Sequence, residues 1–150
     1  MIALEINLES KEDCVFLRLS GQYDLARLVQ VITEVGKLCR ETGCRRILVD
    51  ARGHVGEIAV LELHQIGELI AREIPRGSLV AVVVSEGRLT MDRFLETVAV
   101  NRGVPFHLFT DLESANLWLK GANLGPRGSH QADREKSVRS PRGDTQSPIP

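Results

Sequence analysis

Two short apolar runs constrain this chain more than any other feature. Arg46–Asp50 reads RILVD and Leu79–Val84 reads LVAVVV. Both are too short for a helix, too apolar for a strand with one wet face, and rich in β-branched residues. Each is therefore expected as a central strand covered on both faces. Between them Val60, Leu63, Ile66, Gly67, Ile70 and Ile74 recur at helical spacing, and Pro75 stops the pattern. A strand, a helix and a second strand in that order make a crossover, which implies parallel pairing and a layered α/β fold.

The flanking sequence extends the same alternation. Ile2, Leu4, Ile6 and Leu8 alternate with more polar residues, as in a strand with one buried face. Cys14–Leu19 is a second strand, and Lys11-Glu12-Asp13 is the polar turn that joins the two as an antiparallel hairpin. From Asp24 the period becomes helical through Leu25, Leu28, Val29, Ile32, Val35 and Cys39. Asp24 is the expected cap and Gly43 the expected left-handed stop. A glycine-containing loop is expected after Asp50. Thr90 is read as the cap of a third helix with Phe94, Leu95, Val98 and Ala99, which ends at Gly103. Phe106–Phe109 is the last strand. Thr110-x-x-Glu113 has the form of a capping box for a final helix with Leu112, Ala115, Trp118 and Leu119 on its apolar side. The expected order is ββαβαβαβα, a single-domain mixed sheet with an N-terminal hairpin followed by crossovers.

Composition breaks near Gly121. Residues 121–150 hold four of the six prolines, four glycines and only five residues from the Ala, Val, Ile, Leu and Met set. Such a segment cannot bury enough apolar surface to offset the entropy of ordering it, so 121–150 is expected to be a disordered tail behind a folded body of 1–120. The tail carries five basic and three acidic side chains, and Ser140-Pro141 and Ser147-Pro148 lie in it. The net charge of -1 gives no reason to expect nucleic acid, and six aromatic residues give little for bases to stack on. No apolar run reaches the roughly 18 residues of a membrane span. The opening MIALEINLESKED lacks the basic and apolar regions of a secretory signal. Three irregularly spaced cysteines, Cys14, Cys39 and Cys44, fit a reducing cytoplasm better than a disulfide framework.

Chemistry is written less plainly. There is no GxxxxGK[ST], no GxGxxG after a strand and no GxSxG, and the four histidines are scattered without metal-ligand spacing. No cofactor and no metal are expected. Ligands of open α/β sheets bind beyond the carboxyl ends of the parallel strands. Those ends carry Asp50, Arg52, Gly53 and His54, then Ser85, Glu86 and Arg88, then Thr110 and Asp111. Arg52 and Arg88, with Ser85, are a candidate site for a small anion, since guanidinium matches carboxylate and phosphate. The plainer alternative is two arginines that solubilise loops. Asp50 ends an apolar strand and is expected to cap a loop. Ser85 as a hydrolase nucleophile ranks last, because its context VSEG lacks the glycines of a nucleophile elbow. Its expected role is to satisfy backbone groups of the loop.

Residues 1–120 resemble the STAS/SpoIIAA-like group, small bacterial domains related to anti-sigma-factor antagonists. The resemblance rests on the element order and on RILVDARG, EIAVLELHQIGELI, LVAVVVS and FLETVAVNRGVPFHLFTDLESANLWL. It implies a non-enzymatic regulatory domain that docks to a partner protein. In that group the switch is a phosphorylated serine at the start of the helix after the third strand. The matching place here is about Ile58-Ala59-Val60-Leu61, and neither Ser nor Thr occurs between Asp50 and the end of that helix. The phospho-switch is therefore not carried over, since phosphorylation needs an oxygen to accept it. The resemblance puts the docking surface on the second helix and the loop before it, with His54, Glu57, Ile58, Leu61, His64 and Gln65 as its candidates and Glu62 as a further polar one. Exposure of Ile58, Val60 or Leu61 is the test of that surface. The alternative is a small-molecule site, anionic or lipid-like. A homodimer is an allowed state, since two-fold pairing is common.

Overall fold

In the computed structural model, which describes residues 3–11 and 14–121, the strands form one five-stranded sheet in chain order. β1 (Glu5–Lys11) and β2 (Cys14–Gln22) are antiparallel; β3 (Arg46–Val55), β4 (Leu79–Val83) and β5 (Phe106–Phe109) follow in parallel. The connections are α1 (Leu25–Thr42), α2 (Val60–Glu73), a 3-10 turn at Glu86–Arg88 that runs into α3 (Leu89–Asn101), and α4 (Leu112–Gly121). The expected order and sheet type are both present. Residues 122–150, which make up all but the first position of the expected tail, lie outside the described residues, and so do Ile2 and the Glu12-Asp13 turn. None of the helices among the described residues is long and apolar enough to cross a membrane.

The sheet is covered unequally. α1, α2 and α3 pack on one face, where Val15, Leu17, Ile47, Val80, Val84 and Leu108 meet Val31, Val35, Leu63, Ile66, Ile70 and Ala99. Among the described residues α4 alone covers the other, where Ala115 and Leu119 close over Leu48, Leu79, Ala81 and Val83. β3 and β4 are thus buried on both sides, which is why their sequences read as continuous apolar runs.

Helix ends were set by local chemistry, and two differ from expectation. Asp24 caps α1 by accepting from the Arg27 amide at 3.2 Å, and Gly43, at φ +76°, closes it by donating to the Cys39 carbonyl at 2.8 Å. Thr90 does not cap the third helix. The chain enters it one turn earlier, through the 3-10 turn, so Thr90 lies inside α3 and is exposed. The Thr110/Glu113 box is replaced by Asp111, whose carboxylate accepts from the Ser114 amide at 2.7 Å and from its hydroxyl at 3.0 Å. A carboxylate at the cap is the stronger acceptor for a free helix amide.

The largest departure is in β3. The strand does not end at Asp50 but runs on to Val55, where the sequence suggested a loop. Pairing with β2 steps from Arg18↔Asp50 to Ser20↔Gly53, so β3 carries one extra residue. Such a bulge turns the side chains that follow it to the other face. Gly53 is required there, because a Cβ on it would lie 2.9 Å from Ser20 Cβ. β3 finally turns at Gly56, whose φ of +107° is the left-handed geometry that glycine adopts freely.

Candidate functional site

Before the bulge, Ile47, Val49 and Ala51 point to the face of α1–α3, and Leu48 and Asp50 to the face of α4. After it, His54 falls on the same side as Ala51. The carboxyl end of β3 thereby sends its functional side chains to opposite faces.

On the α4 side, Asp50 is buried and bound twice by Arg52, Nε to Oδ1 and Nη2 to Oδ2, each at 2.9 Å. The Arg52 amide also donates to Oδ1 at 3.2 Å, and Arg18 Nε lies 3.6 Å from Oδ2. The Arg52 bonds hold the Asp50 carboxyl below its usual range against the opposing effect of burial. Asp50 does cap its loop, as expected, but it also takes up the Arg52 fork.

On the other side His54 is 5% exposed. Its ring makes a T-shaped contact with Tyr23, 5.9 Å between centroids, and its Nε2 is buried with no hydrogen-bond partner among the described residues. Burial pushes its pKa down to about 4, aided by the Arg88 charge. Arg88 donates from Nη1 to the Gly56 carbonyl at 2.7 Å, and its Nε stands 3.7 Å from the buried carboxylate of Asp92. Burial raises the Asp92 pKa, while Arg88 partly opposes this. Arg52 and Arg88 therefore serve different carboxylates on different faces, and each is anchored within the fold. Ser85 is exposed just before the 3-10 turn; its carbonyl accepts from the Arg88 amide at 3.0 Å, but its hydroxyl does not cap the turn.

His54 and Asp92 share a cavity of about 110 Å³ between the sheet and α1–α3, and every other lining side chain is apolar. Asp92 and Tyr23 were missed in the sequence. Asp92 could have been found as the i+4 partner of Arg88, whereas Tyr23 carries no local signal. Its hydroxyl reaches Glu62 Oε1 at 2.7 Å, tying the β2–α1 junction to α2, and burial with that bond raises its pKa.

The docking candidates divide. His54 and Ile58 point inward, so both are corrected from surface to core residues; Ile58 is 8% exposed. Glu57 and Gln65 are exposed, and His64 is half-buried with Nδ1 3.6 Å from Glu68 Oε1. Leu61 is 68% exposed, Val60 65% and Val55 51%. α2 begins without a side-chain cap, because Ala59 stands where an oxygen-bearing residue would serve. Among the described residues no group of His, Cys, Asp or Glu is placed to hold a metal ion. Cys39 and Cys44 are buried thiols that form no disulfide. A side-chain hydrogen bond between the two thiols, with burial, raises the Cys39 thiol pKa, the opposite of what a reactive thiolate needs.

No family model matches the chain, and no curated protein does. Solved structures do. An anti-sigma factor antagonist from Mycobacterium paratuberculosis superposes with a TM-score of 0.57 at 14% identity, over 79% of this chain and 95% of that one. SpoIIAA, an anti-sigma factor antagonist in its unphosphorylated form, gives 0.51 at 14% identity, over 79% and 98%. The chain has the STAS/SpoIIAA-like fold. At this identity the likeness carries the architecture, and the function has to be argued from the side chains.

Proposed function

We propose that this protein is a non-catalytic regulatory module that docks to a partner protein through the head of α2 and the loop before it. One observation carries the reading. Val60 and Leu61 stand exposed, with Val55 beside the same loop, while Ile58 and Leu63 on either side of them are buried. The buried pair anchors the segment, and the exposed trio presents apolar area that no described residue covers. Glu57 and Glu62 lie in the same segment. The partner that fits is a protein with an apolar pocket and a basic rim. The names of the two similar structures, both antagonists of anti-sigma factors, agree with a role in binding proteins. With neither Ser nor Thr in 51–73, docking here is not switched by phosphorylation of this helix. A cytoplasmic location and a folded unit of 1–120 belong to the same proposal.

The test uses the full chain as bait, with Val60→Glu/Leu61→Glu as the variant. Leu117→Glu is the control, on α4 and 64% exposed. A partner is identified by mass spectrometry, purified and titrated calorimetrically against each bait. Loss of both central anchors is expected to weaken binding by about thirtyfold or more, since removing even one hot-spot side chain costs on the order of 2 kcal/mol and such costs do not simply add. Leu117→Glu is expected to leave it unchanged. Binding that survives Val60→Glu/Leu61→Glu, or the absence of any titratable partner, overturns the proposal. The anion reading has less support, because Arg52 and Arg88 already hold Asp50 and the Gly56 carbonyl.

A further inference from the structure

We infer that the cavity beneath His54 is a binding site for a small neutral alcohol with a hydrocarbon body and a single hydroxyl, which meets His54 Nε2. Three observations point to it. The cavity measures about 110 Å³ and is walled by side chains such as Leu17, Val49, Ile66, Val82 and Leu108. An apolar cavity of about 150 Å³ takes up benzene, so this volume suits a body of roughly four to six carbons. The His54 imidazole lines the cavity, is 5% exposed, and leaves Nε2 without a partner. A buried polar atom in that state costs free energy unless a ligand or a water meets it.

The charges at that end select against ions. Asp92 lines the cavity and disfavours an anion, while Arg88 turns its Nη1 away to the Gly56 carbonyl. A cation would have to give up its water inside an apolar wall, with an Asp92 carboxylate that already stands beside Arg88. A hydroxyl both donates and accepts, so it serves either tautomer of a neutral imidazole. The apolar lining runs along β3 from Ile47 to Ala51, and His54 follows just beyond the bulge. The hydroxyl would therefore sit at the carboxyl end of the strands and the hydrocarbon body below it.

The probe is 1-pentanol, with pentane as the hydrocarbon of matching length, titrated into the full chain with labelled methyl groups. Saturable shifts are expected at Ile66, Val82 and Leu108, together with a change at the His54 ring nitrogens, and pentanol should bind more tightly than pentane. In His54→Leu the preference for the alcohol should fall by about tenfold, the scale of one net hydrogen bond. That variant replaces an unpartnered polar group with an apolar one and is expected to fold. In Ala51→Val, which adds methyl groups at the cavity wall, uptake of both probes should drop. Three results would each overturn the site: no saturable shift at the lining methyls, an alcohol preference that persists in His54→Leu, or a lone ordered water on Nε2 with no uptake of pentanol.

Discussion

Burial holds the His54 imidazole neutral, with its pKa pushed down to about 4. In the unfolded chain the same ring titrates near ~6.5. Between those values the unfolded state binds more protons, so stability is greatest above the window and falls as pH drops through it. The whole gap corresponds to about 3 kcal/mol. Arg88 reinforces the effect, and Tyr23 makes a T-shaped ring contact while its hydroxyl is bound to Glu62. Asp92, whose pKa is raised, works the other way: it destabilises the fold increasingly as pH rises above its unfolded value near ~3.9. Asp50, whose pKa is lowered, contributes stability above that unfolded value and loses it only as pH falls further, through its folded pKa. Denaturant melts at several pH values are expected to show the wild-type stability falling between pH 6.5 and 4, and His54→Leu falling less. Parallel curves for the two proteins would assign the acid sensitivity elsewhere.

Among the elements, the helix layer is held close by two glycines. A Cβ on Gly67 would come within 2.5 Å of Val98 Cγ1, where α2 crosses α3. Gly67→Ala gains helix propensity worth up to ~1 kcal/mol but meets an overpacking cost of about 1–3 kcal/mol. Net destabilisation of about 1 kcal/mol is expected from denaturant melts, and Val98→Ala in the same chain should recover part of it. No coupling between the two sites would refute the contact. Gly36→Ala is expected to be worse, because its Cβ would run into the Glu73 carbonyl oxygen, a backbone atom that cannot rotate away. Elements of this kind were legible in the sequence wherever periodicity and a cap agreed: Asp24 to Gly43 for α1, Pro75 after α2, Phe106–Phe109 for β5. The extension of β3 was not legible, because it depends on pairing with Ser20, a residue far away in the chain. That single bulge also decides the site. It turns His54 from an expected surface residue into the polar end of a cavity. The exposure of Leu61 was legible because it lies off the apolar stripe of α2. The burial of Ile58 was not, because it precedes the helix and no period constrains it.

At the scale of the molecule, the described residues are distributed asymmetrically about the sheet. The described core has 24 buried residues on the α1–α3 side and six on the α4 side. α4 adds its Asp111 cap, a bond from Arg46 Nε to the Leu119 carbonyl at 2.8 Å, and Trp118 lying 5.6 Å from His107 and 5.8 Å from Phe109. Apolar burial is the main force that opposes local opening, so the thinner layer should open first. Both proposed interactions, the patch at Leu61 and the cavity beneath His54, belong to the thicker layer or its rim. Release of α4 would leave them in place. Native-state hydrogen exchange is expected to place the α4 amides in a partial unfolding of lower free energy than β3, β4 and α2, which should exchange together near the global limit. Trp118, the only tryptophan, reports the same event by fluorescence. If α4 amides exchange only with global unfolding, the small second core is fully cooperative with the large one, and the ranking by buried layer fails.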